Sequence, residues 1–168
     1  MNRRILLCLA LATCLMGGSA AAEDLPAPAG PVILTLTGQI GVHNAGDTAV
    51  FDLAMLESLG GRTTHTTTPW YDGSRSFTGP LGAALLEAVG ASGDMLRITA
   101  LNDYVSDIPV SDFNAYPVIL ATRLDGQTMS VRDKGPIFVI YPFDELPELN
   151  NETYYGRSAW QVKSIEVY

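Results

Sequence analysis

Polar and aromatic residues that could bind a small molecule are concentrated at two turns of the chain. One turn reads Asn-Asp-Tyr at residues 102–104, and the other reads Arg-Asp-Lys at residues 132–134. Each turn places groups of opposite or hydrogen-bonding character beside apolar segments that have the composition of strands. With two further aromatic residues, these turns predict a ligand pocket formed by Trp70, Asn102, Asp103, Tyr104, Arg132, Asp133 and Tyr141.

The same carboxylates also have a purely structural interpretation. Asp side chains are common at turns because they accept hydrogen bonds from nearby backbone N–H groups, and Asp112 could cap a short helical turn in this way. An Asp133 paired with a flanking cation is more often a structural ion pair than a catalytic dyad, and exposed pairs contribute only about 0 to 1 kcal/mol. The sequence therefore assigns no catalytic residue.

Metal ligation and the common catalytic motifs find no support in the spacing of residues. His43 falls in a predicted turn and His65 in a predicted strand, and neither has a ligand partner at helical or short-loop spacing. The chain contains no GxSxG elbow, phosphate-binding loop or dinucleotide fingerprint. We therefore expect no metal site, and the sequence favours a protein that is not an enzyme.

The first 22 residues are typical of a secretory signal peptide. Arg3 and Arg4 precede a 12-residue apolar run at positions 5–16, and small residues lead to Ala22. A membrane span needs about 20 apolar residues, so we expect cleavage after Ala22 and no stable membrane insertion afterwards. The predicted location is the periplasm or the outside of the cell. The alternative is a lipoprotein that carries its lipid on Cys14.

The mature chain has 146 of the 168 residues, enough for one domain with a sizeable core. It keeps 8 basic and all 18 acidic residues, a formal charge of −10. Such a charge repels phosphate backbones and anionic lipids, so nucleic acid is excluded as an expected partner. Both cysteines, Cys8 and Cys14, are removed with the signal peptide. The expected partners are a small ligand or a periplasmic protein.

Hydrophobic periodicity predicts an α+β, β-rich fold in a single domain at residues 32–168, preceded by a flexible linker at 23–31. Asp52 is a predicted helix N-cap, Pro80 suits the first position of a second helix, and Asp125-Gly126 is typical of a type I′ hairpin. Residues 137–141 are apolar throughout, which predicts a strand in the middle of a sheet. The other predicted elements are strands at 32–40, 62–68 and 160–167 and a 14-residue acidic loop at 143–156.

The segment FTGPL at 77–81, followed by LLEAVGA at 85–91, resembles a sequence pattern of the sulfite-oxidase-type molybdopterin-binding domain family. Further segments that follow in that family's order are 108–110, 118–121, 125–126, 135–142 and 164–167. The likeness covers roughly residues 63–167. The resemblance implies the family's fold. It also implies a molybdenum-pterin cofactor whose metal is held by a cysteine in the region equivalent to residues 64–71.

The chain departs from that pattern at the residues that would hold the cofactor. Residues 64–71 contain no cysteine, and Phe138 and Trp160 stand near the family's usual arginine and lysine. A thiolate ligand cannot be exchanged for threonine without changing the metal chemistry. The expectation is a small, shortened, cofactor-free relative that acts as a binding or accessory module, with the acidic loop as a docking segment in the accessory case. The alternative is a molybdopterin-dependent oxidoreductase with an oxygen ligand such as Thr66 or Asp72, its pterin phosphate held by Arg75, Arg132, Arg157 and Lys163.

Overall fold

A computed structural model describes residues 25–168, and the predicted signal peptide with its cleavage site and Cys14 lies outside the described residues. The strands of the described part, numbered in chain order, are β1 Leu34–Gly38, β2 Ala49–Phe51, β3 Gly61–Thr68, β4 Tyr71–Pro80, β5 Met95–Ala100, β6 Val105–Pro109, β7 Ile119–Ala121, β8 Arg123–Leu124, β9 Gln127–Thr128, β10 Phe138–Ile140 and β11 Val162–Val167. The helices are α1 Leu53–Ser58, α2 Gly82–Ala88, α3 Val110–Ala115 and α4 Glu152–Arg157. No helix within residues 25–168 is both long and apolar enough to cross a bilayer.

The strands are divided among three sheets. The main sheet has the order β2-β1-β11-β5-β6, in which β1 and β11 are parallel and the other neighbours are antiparallel. A second sheet has the order β3-β4-β8-β9, and β7 pairs with β10 as an antiparallel ribbon. The predicted α+β, sheet-rich class is therefore confirmed.

Two clusters of buried side chains form the core. The larger cluster joins one face of the main sheet to the helices, and the smaller one surrounds Phe77 and Phe138 beside the second sheet. The ring of Trp70 packs against both clusters, because it lies at the turn between β3 and β4. This turn is where the first wall of the candidate site is attached to the core.

Two of the local sequence signals are confirmed. Asp52 is the N-cap of α1, and its Oδ1 accepts a hydrogen bond from the Met55 N–H at 2.8 Å. Asp125 and Gly126 join β8 to β9 with φ angles of 48° and 79°, the two positive angles that a type I′ turn requires. Each signal depends on contacts within a few residues, which is why the sequence alone was sufficient.

Other predicted elements differ from the structure. Pro80 is not the first residue of a helix: it ends β4, and Leu81 is the N-cap of α2. The apolar run at 137–141 is buried as expected, but β10 lies in a two-stranded ribbon and not in the middle of a sheet. On its other side β10 meets the chain leading to β11, where the Val139 N–H donates to the Ala159 carbonyl at 2.9 Å. This irregular neighbour shields β10 without forming a regular strand.

The segments predicted as loop and linker are more ordered than expected. The acidic segment at 143–156 contains a 3₁₀ turn, Pro147–Leu149, and most of α4. The described part of the predicted linker is hydrogen-bonded to the domain, since the N–H groups of Ala29 and Gly30 donate to Asp52 Oδ2 at 2.8 and 2.7 Å. One carboxylate therefore both caps α1 and holds the entering chain.

Candidate ligand-binding site

A cavity of about 230 Å³ lies where three separate parts of the chain meet. One wall comes from the β3–β4 turn, another from the β5–β6 turn, and the third from α4 and the chain that leads into β11. We call this cavity the aromatic pocket; its lining residues are Trp70, Asn102, Tyr104, Tyr155, Ser158 and Trp160. Within residues 25–168, the lining contains four aromatic rings and no charged side chain.

The aromatic rings meet at steep angles. The ring centres of Trp70 and Trp160 are 5.7 Å apart with an interplanar angle of 66°, and those of Trp70 and Tyr155 are 6.0 Å apart at 77°. The fully buried Phe138 contacts both indoles, with centre distances of 5.3 Å to Trp70 and 5.9 Å to Trp160. Edge-to-face pairs of this kind are favourable by about 0.5–1.5 kcal/mol beyond the burial of their area. The packing therefore fixes the walls of the pocket.

The hydroxyl groups of the lining are bonded to the protein itself. Tyr104 donates to the Gly156 carbonyl at 3.0 Å, and Ser158 donates to the Tyr154 carbonyl at 2.9 Å. The hydroxyl of Tyr155 donates to Asn150 Oδ1. These bonds hold the β5–β6 turn against α4 and orient the rings, so few hydroxyl donors remain for a ligand.

Three of the seven residues predicted from the sequence line the aromatic pocket: Trp70, Asn102 and Tyr104. Asp103 follows directly in the same turn at a φ of 62°, and its Oδ1 accepts a hydrogen bond from Lys163 Nζ at 2.6 Å. That hydrogen bond and the charge of Lys163 lower the pKa of Asp103. Asp103 is therefore part of an exposed ion pair next to the pocket and does not line it.

Arg132 and Asp133 lie in a short 3₁₀ turn, Val131–Asp133, and do not line the pocket. Asp133 Oδ2 accepts a hydrogen bond from Ser130 Oγ at 2.7 Å, and within the described residues it forms no ion pair with a flanking cation. The residue after this turn, Lys134, lies outside the pocket, with its Nζ 5.7 Å from the ring centre of Trp160. The expected ion pair is replaced by a local hydrogen bond and a cation–π contact.

Tyr141 lies in the core and not in the pocket. It is fully buried, and its hydroxyl donates to Asp112 Oδ2 at 2.9 Å. The same oxygen accepts a hydrogen bond from Arg157 Nη1 at 2.7 Å. Burial, and then the neighbouring Asp112, raise the pKa of Tyr141. Asp112 is thus the third residue of α3 and the centre of a buried polar network, not the helix cap that its position in the sequence suggested.

Three lining residues were not among the predicted ones: Tyr155, Ser158 and Trp160. All three come from the acidic segment and the chain just after it, where α4 has only six residues. A helix this short shows too few turns for a hydrophobic face to be recognised. The available signal was composition, because Tyr154, Tyr155 and Trp160 place three aromatic residues within seven positions.

Within residues 25–168, the side chains do not provide the ligand set that the resemblance implies for a molybdenum-pterin cofactor. Residues 25–168 contain no cysteine and no group of three or more His, Cys, Asp or Glu side chains placed to hold a metal ion. The Thr66 hydroxyl is buried and donates to the Thr67 carbonyl, whereas Asp72 is exposed on β4. Three of the four cations considered for the pterin phosphate are paired with carboxylates, in the pairs Arg75–Asp125, Arg157–Asp112 and Lys163–Asp103.

The chemistry that this site offers is non-covalent binding of a small molecule. Ligand pockets in proteins are mostly apolar and aromatic, with a few polar groups that set orientation. In the aromatic pocket the side-chain donors without an acceptor in residues 25–168 are Asn102 Nδ2 and the indole N–H groups of Trp70 and Trp160, while Asn102 Oδ1 accepts from the Tyr104 N–H at 3.2 Å. No protein-family model matches this chain, and no curated protein matches it either.

Proposed function

We propose that this chain is an exported binding module that holds a small molecule in the aromatic pocket and works without molybdopterin. The observation that carries the proposal is the convergence of four aromatic rings, from three segments distant in sequence, on one cavity. Rings that only stabilised the core would fill the space among them and leave no cavity of this size. Here the two tryptophans and Tyr155 remain only half-buried around that space.

The size of the pocket favours a ligand with one or two rings, or an equally compact group. A dry protein cavity of about 150 Å³ is large enough to bind benzene. The aromatic pocket, at about 230 Å³, holds such a group with room for a short substituent. Asn102, at the rim, supplies an amide that can donate to that substituent.

The proposal of a cofactor-free module follows from the resemblance and its departures. Two regions that the resemblance associates with the cofactor are residues 64–71 and Trp160, and both contribute a wall to the aromatic pocket through Trp70 and Trp160. Trp70 lies in the region where the resemblance implies a thiolate, and Trp160 lies near the position where it implies a lysine. We infer that a sulfite-oxidase-type scaffold has been adapted here to bind a different and smaller ligand.

The competing oxidoreductase hypothesis makes a distinct prediction about composition. A molybdopterin enzyme purified from its native compartment contains stoichiometric molybdenum and releases a fluorescent oxidised pterin. If the protein works without the cofactor, neither molybdenum nor pterin is expected, even after expression in a host that makes the cofactor. Elemental mass spectrometry and pterin fluorescence measure both, and stoichiometric molybdenum would refute the cofactor-free proposal.

Ligand binding is tested by a thermal-shift screen of small neutral and cationic compounds, with tryptophan fluorescence as the second readout. Trp70 and Trp160 are the chain's only two tryptophans, so their emission reports directly on the pocket. A compound that binds there is expected to shift both signals in the wild type and to lose its effect in Trp70→Leu. The matched control is Tyr168→Leu, which removes an exposed aromatic ring that does not line the pocket. Compounds that shift all three proteins equally would count against this site.

A further inference from the structure

In the part of the chain that the structure describes, the aromatic pocket offers no positive charge that would balance the charge of an anion. An anion needs N–H or O–H donors, or a positive charge, to replace its hydration shell. The three hydroxyl groups of the lining already donate to protein oxygens, namely the Gly156 carbonyl, the Tyr154 carbonyl and Asn150 Oδ1. Within residues 25–168, no lysine, arginine or histidine lines the pocket. The lining still offers the neutral N–H donors of Asn102 and of the two indoles, oxygen lone pairs and the faces of aromatic rings, and none of these groups carries a positive charge.

Those ring faces are arranged to surround a compact group from several sides. The planes of Trp160 and Tyr155 are inclined by 66° and 77° to that of Trp70, so the three rings form walls instead of a stack. Aromatic faces carry negative electrostatic potential and attract cations, and the face of tryptophan attracts them most strongly. Aliphatic walls would hold a neutral apolar ligand equally well.

The charge around the pocket agrees with a positive ligand. Residues 23–168 carry a formal charge of −10, which raises the local concentration of cations. Burial, and then the Asp133 carboxylate, raise the pKa of Tyr71, whose hydroxyl donates to the Asp133 carbonyl at 3.2 Å. The ammonium group of Lys134 lies 4.9 Å from the ring centre of Tyr71 and 5.7 Å from that of Trp160. The rings of Tyr71 and Trp160 therefore already hold one cation of the protein, Lys134, outside the pocket.

We propose that the aromatic pocket recognises a small organic cation with a methylated ammonium head group, held by cation–π contacts with Trp70, Trp160 and Tyr155. A quaternary ammonium, in which methyl groups replace every N–H, has no hydrogen-bond donor on its nitrogen, so it needs ring faces and not a carboxylate. This inference rests on the proposed ligand-binding function and adds the chemical class of the ligand. Asn102 and the lone pairs of the Tyr104 hydroxyl are the groups available to the rest of the molecule.

The test compares choline with its carbon isostere, in which a tert-butyl group replaces the trimethylammonium group. The two probes have nearly the same shape, so the difference in their affinity isolates the charge. Titration of the purified protein, followed by tryptophan fluorescence and calorimetry, is expected to give a Kd for choline about tenfold lower than that of the isostere. Neutral one-ring aromatic compounds are titrated in parallel.

Each outcome separates this inference from the proposed function. An isostere that binds as tightly as choline would overturn recognition of charge and keep the pocket as an apolar binding site. If choline, the isostere and the neutral aromatic compounds all fail to bind, both proposals are overturned. Preferential binding of the neutral aromatic compounds over choline overturns the cation proposal alone.

Fluorinated tryptophan gives a second measurement that requires no substitution of a pocket residue by a different amino acid. Each added fluorine withdraws electron density from the indole face while nearly preserving its shape, and both replaced residues are in the pocket. Choline affinity is expected to fall stepwise with the number of fluorine atoms, and isostere affinity to stay constant. A choline affinity that does not respond to fluorination would contradict cation–π recognition.

Discussion

Two threonines on β3 provide a matched test of how hydrogen bonding determines stability in this fold. Thr64 and Thr66 are both fully buried, and they are two residues apart on the same strand. The Thr66 hydroxyl donates to the Thr67 carbonyl and accepts from the Asp144 N–H, both at 3.1 Å. The Thr64 hydroxyl, in contrast, has no partner within the described residues. Replacing each by valine removes the hydroxyl and keeps a β-branched side chain.

The two substitutions are expected to act in opposite directions. A buried polar group without a partner costs about 1–3 kcal/mol, so Thr64→Val is expected to raise the free energy of unfolding by about 1 kcal/mol. Thr66→Val removes two hydrogen bonds and leaves the Asp144 N–H without its partner. This loss is expected to lower the free energy of unfolding by about 1–2 kcal/mol. At about 2–4 °C of Tm per kcal/mol for a chain of this size, the variants should differ by about 6 °C.

Urea denaturation followed by tryptophan fluorescence measures both free energies, and calorimetry gives the Tm. The slope of the free energy with urea should be the same in wild type and both variants, since neither change alters the area exposed on unfolding. Equal destabilisation by the two substitutions would refute the reasoning. It would mean that the Thr64 hydroxyl has a partner in solution, such as a buried water molecule.

Three further predictions concern the polar network, the pH dependence and α4. In the network around Asp112, Arg157→Met leaves a buried carboxylate without its cation and should lower the free energy of unfolding by about 2–3 kcal/mol. Tyr141→Phe removes one hydrogen bond to the same carboxylate and should lower the free energy of unfolding by about 1 kcal/mol. Urea denaturation measures both changes. Hydrogen bonds from Met55, Gly30 and Ala29 lower the pKa of Asp52 below its usual 3.8. The ionised Asp52 therefore stabilises the fold above pH 3.8, and this stabilisation is lost as the pH falls through the lowered pKa of the folded protein. Asp52→Asn should therefore reduce the acid dependence of Tm, and equal acid dependence in both proteins would contradict this assignment. Gly156 lies in α4, and a Cβ added there would have nothing within 4 Å. Gly156→Ala should therefore raise the free energy of unfolding by about 0.5–1 kcal/mol. A lower free energy of unfolding, measured by urea denaturation, would show that α4 needs the glycine.

The elements that could be predicted from the sequence are those determined by neighbours along the chain. Asp52 caps a helix through a group three residues away, and the Asp125-Gly126 turn needs only its own two φ angles. Pro80 shows where such reasoning ends. Its preference for a first helical position is local, but the pairing of Pro80 with Gly61 extends β4 through it and delays the helix.

Half of the candidate site could be predicted and half could not, for a similar reason. Trp70 and Tyr104 stand out because large aromatic rings are not among the usual turn residues, whereas Asn102 is a usual turn residue that lies beside Tyr104 in the same turn. Tyr155 and Ser158 reach the pocket only because α4 packs against β6, a contact between residues 50 or more positions apart. The sequence predicts Tyr141 in the pocket as an aromatic residue, whereas its hydroxyl donates to Asp112 in the core. Sequence spacing contains no information about either pairing.

The bonds that hold α4 in place also decide whether the aromatic pocket can bind anything tightly. The Gly156 carbonyl accepts hydrogen bonds from both Tyr104 and Ser106, at 3.0 and 2.9 Å, so the helix that provides Tyr155 is fastened to β6. On the opposite side, Trp70 and Trp160 are held by the fully buried Phe138. Because the walls are ordered before a ligand arrives, binding does not have to immobilise them, and each such side chain would otherwise cost about 0.5–1.5 kcal/mol. Two indoles and a tyrosine restrained in this way can hold a compact ligand that makes few hydrogen bonds.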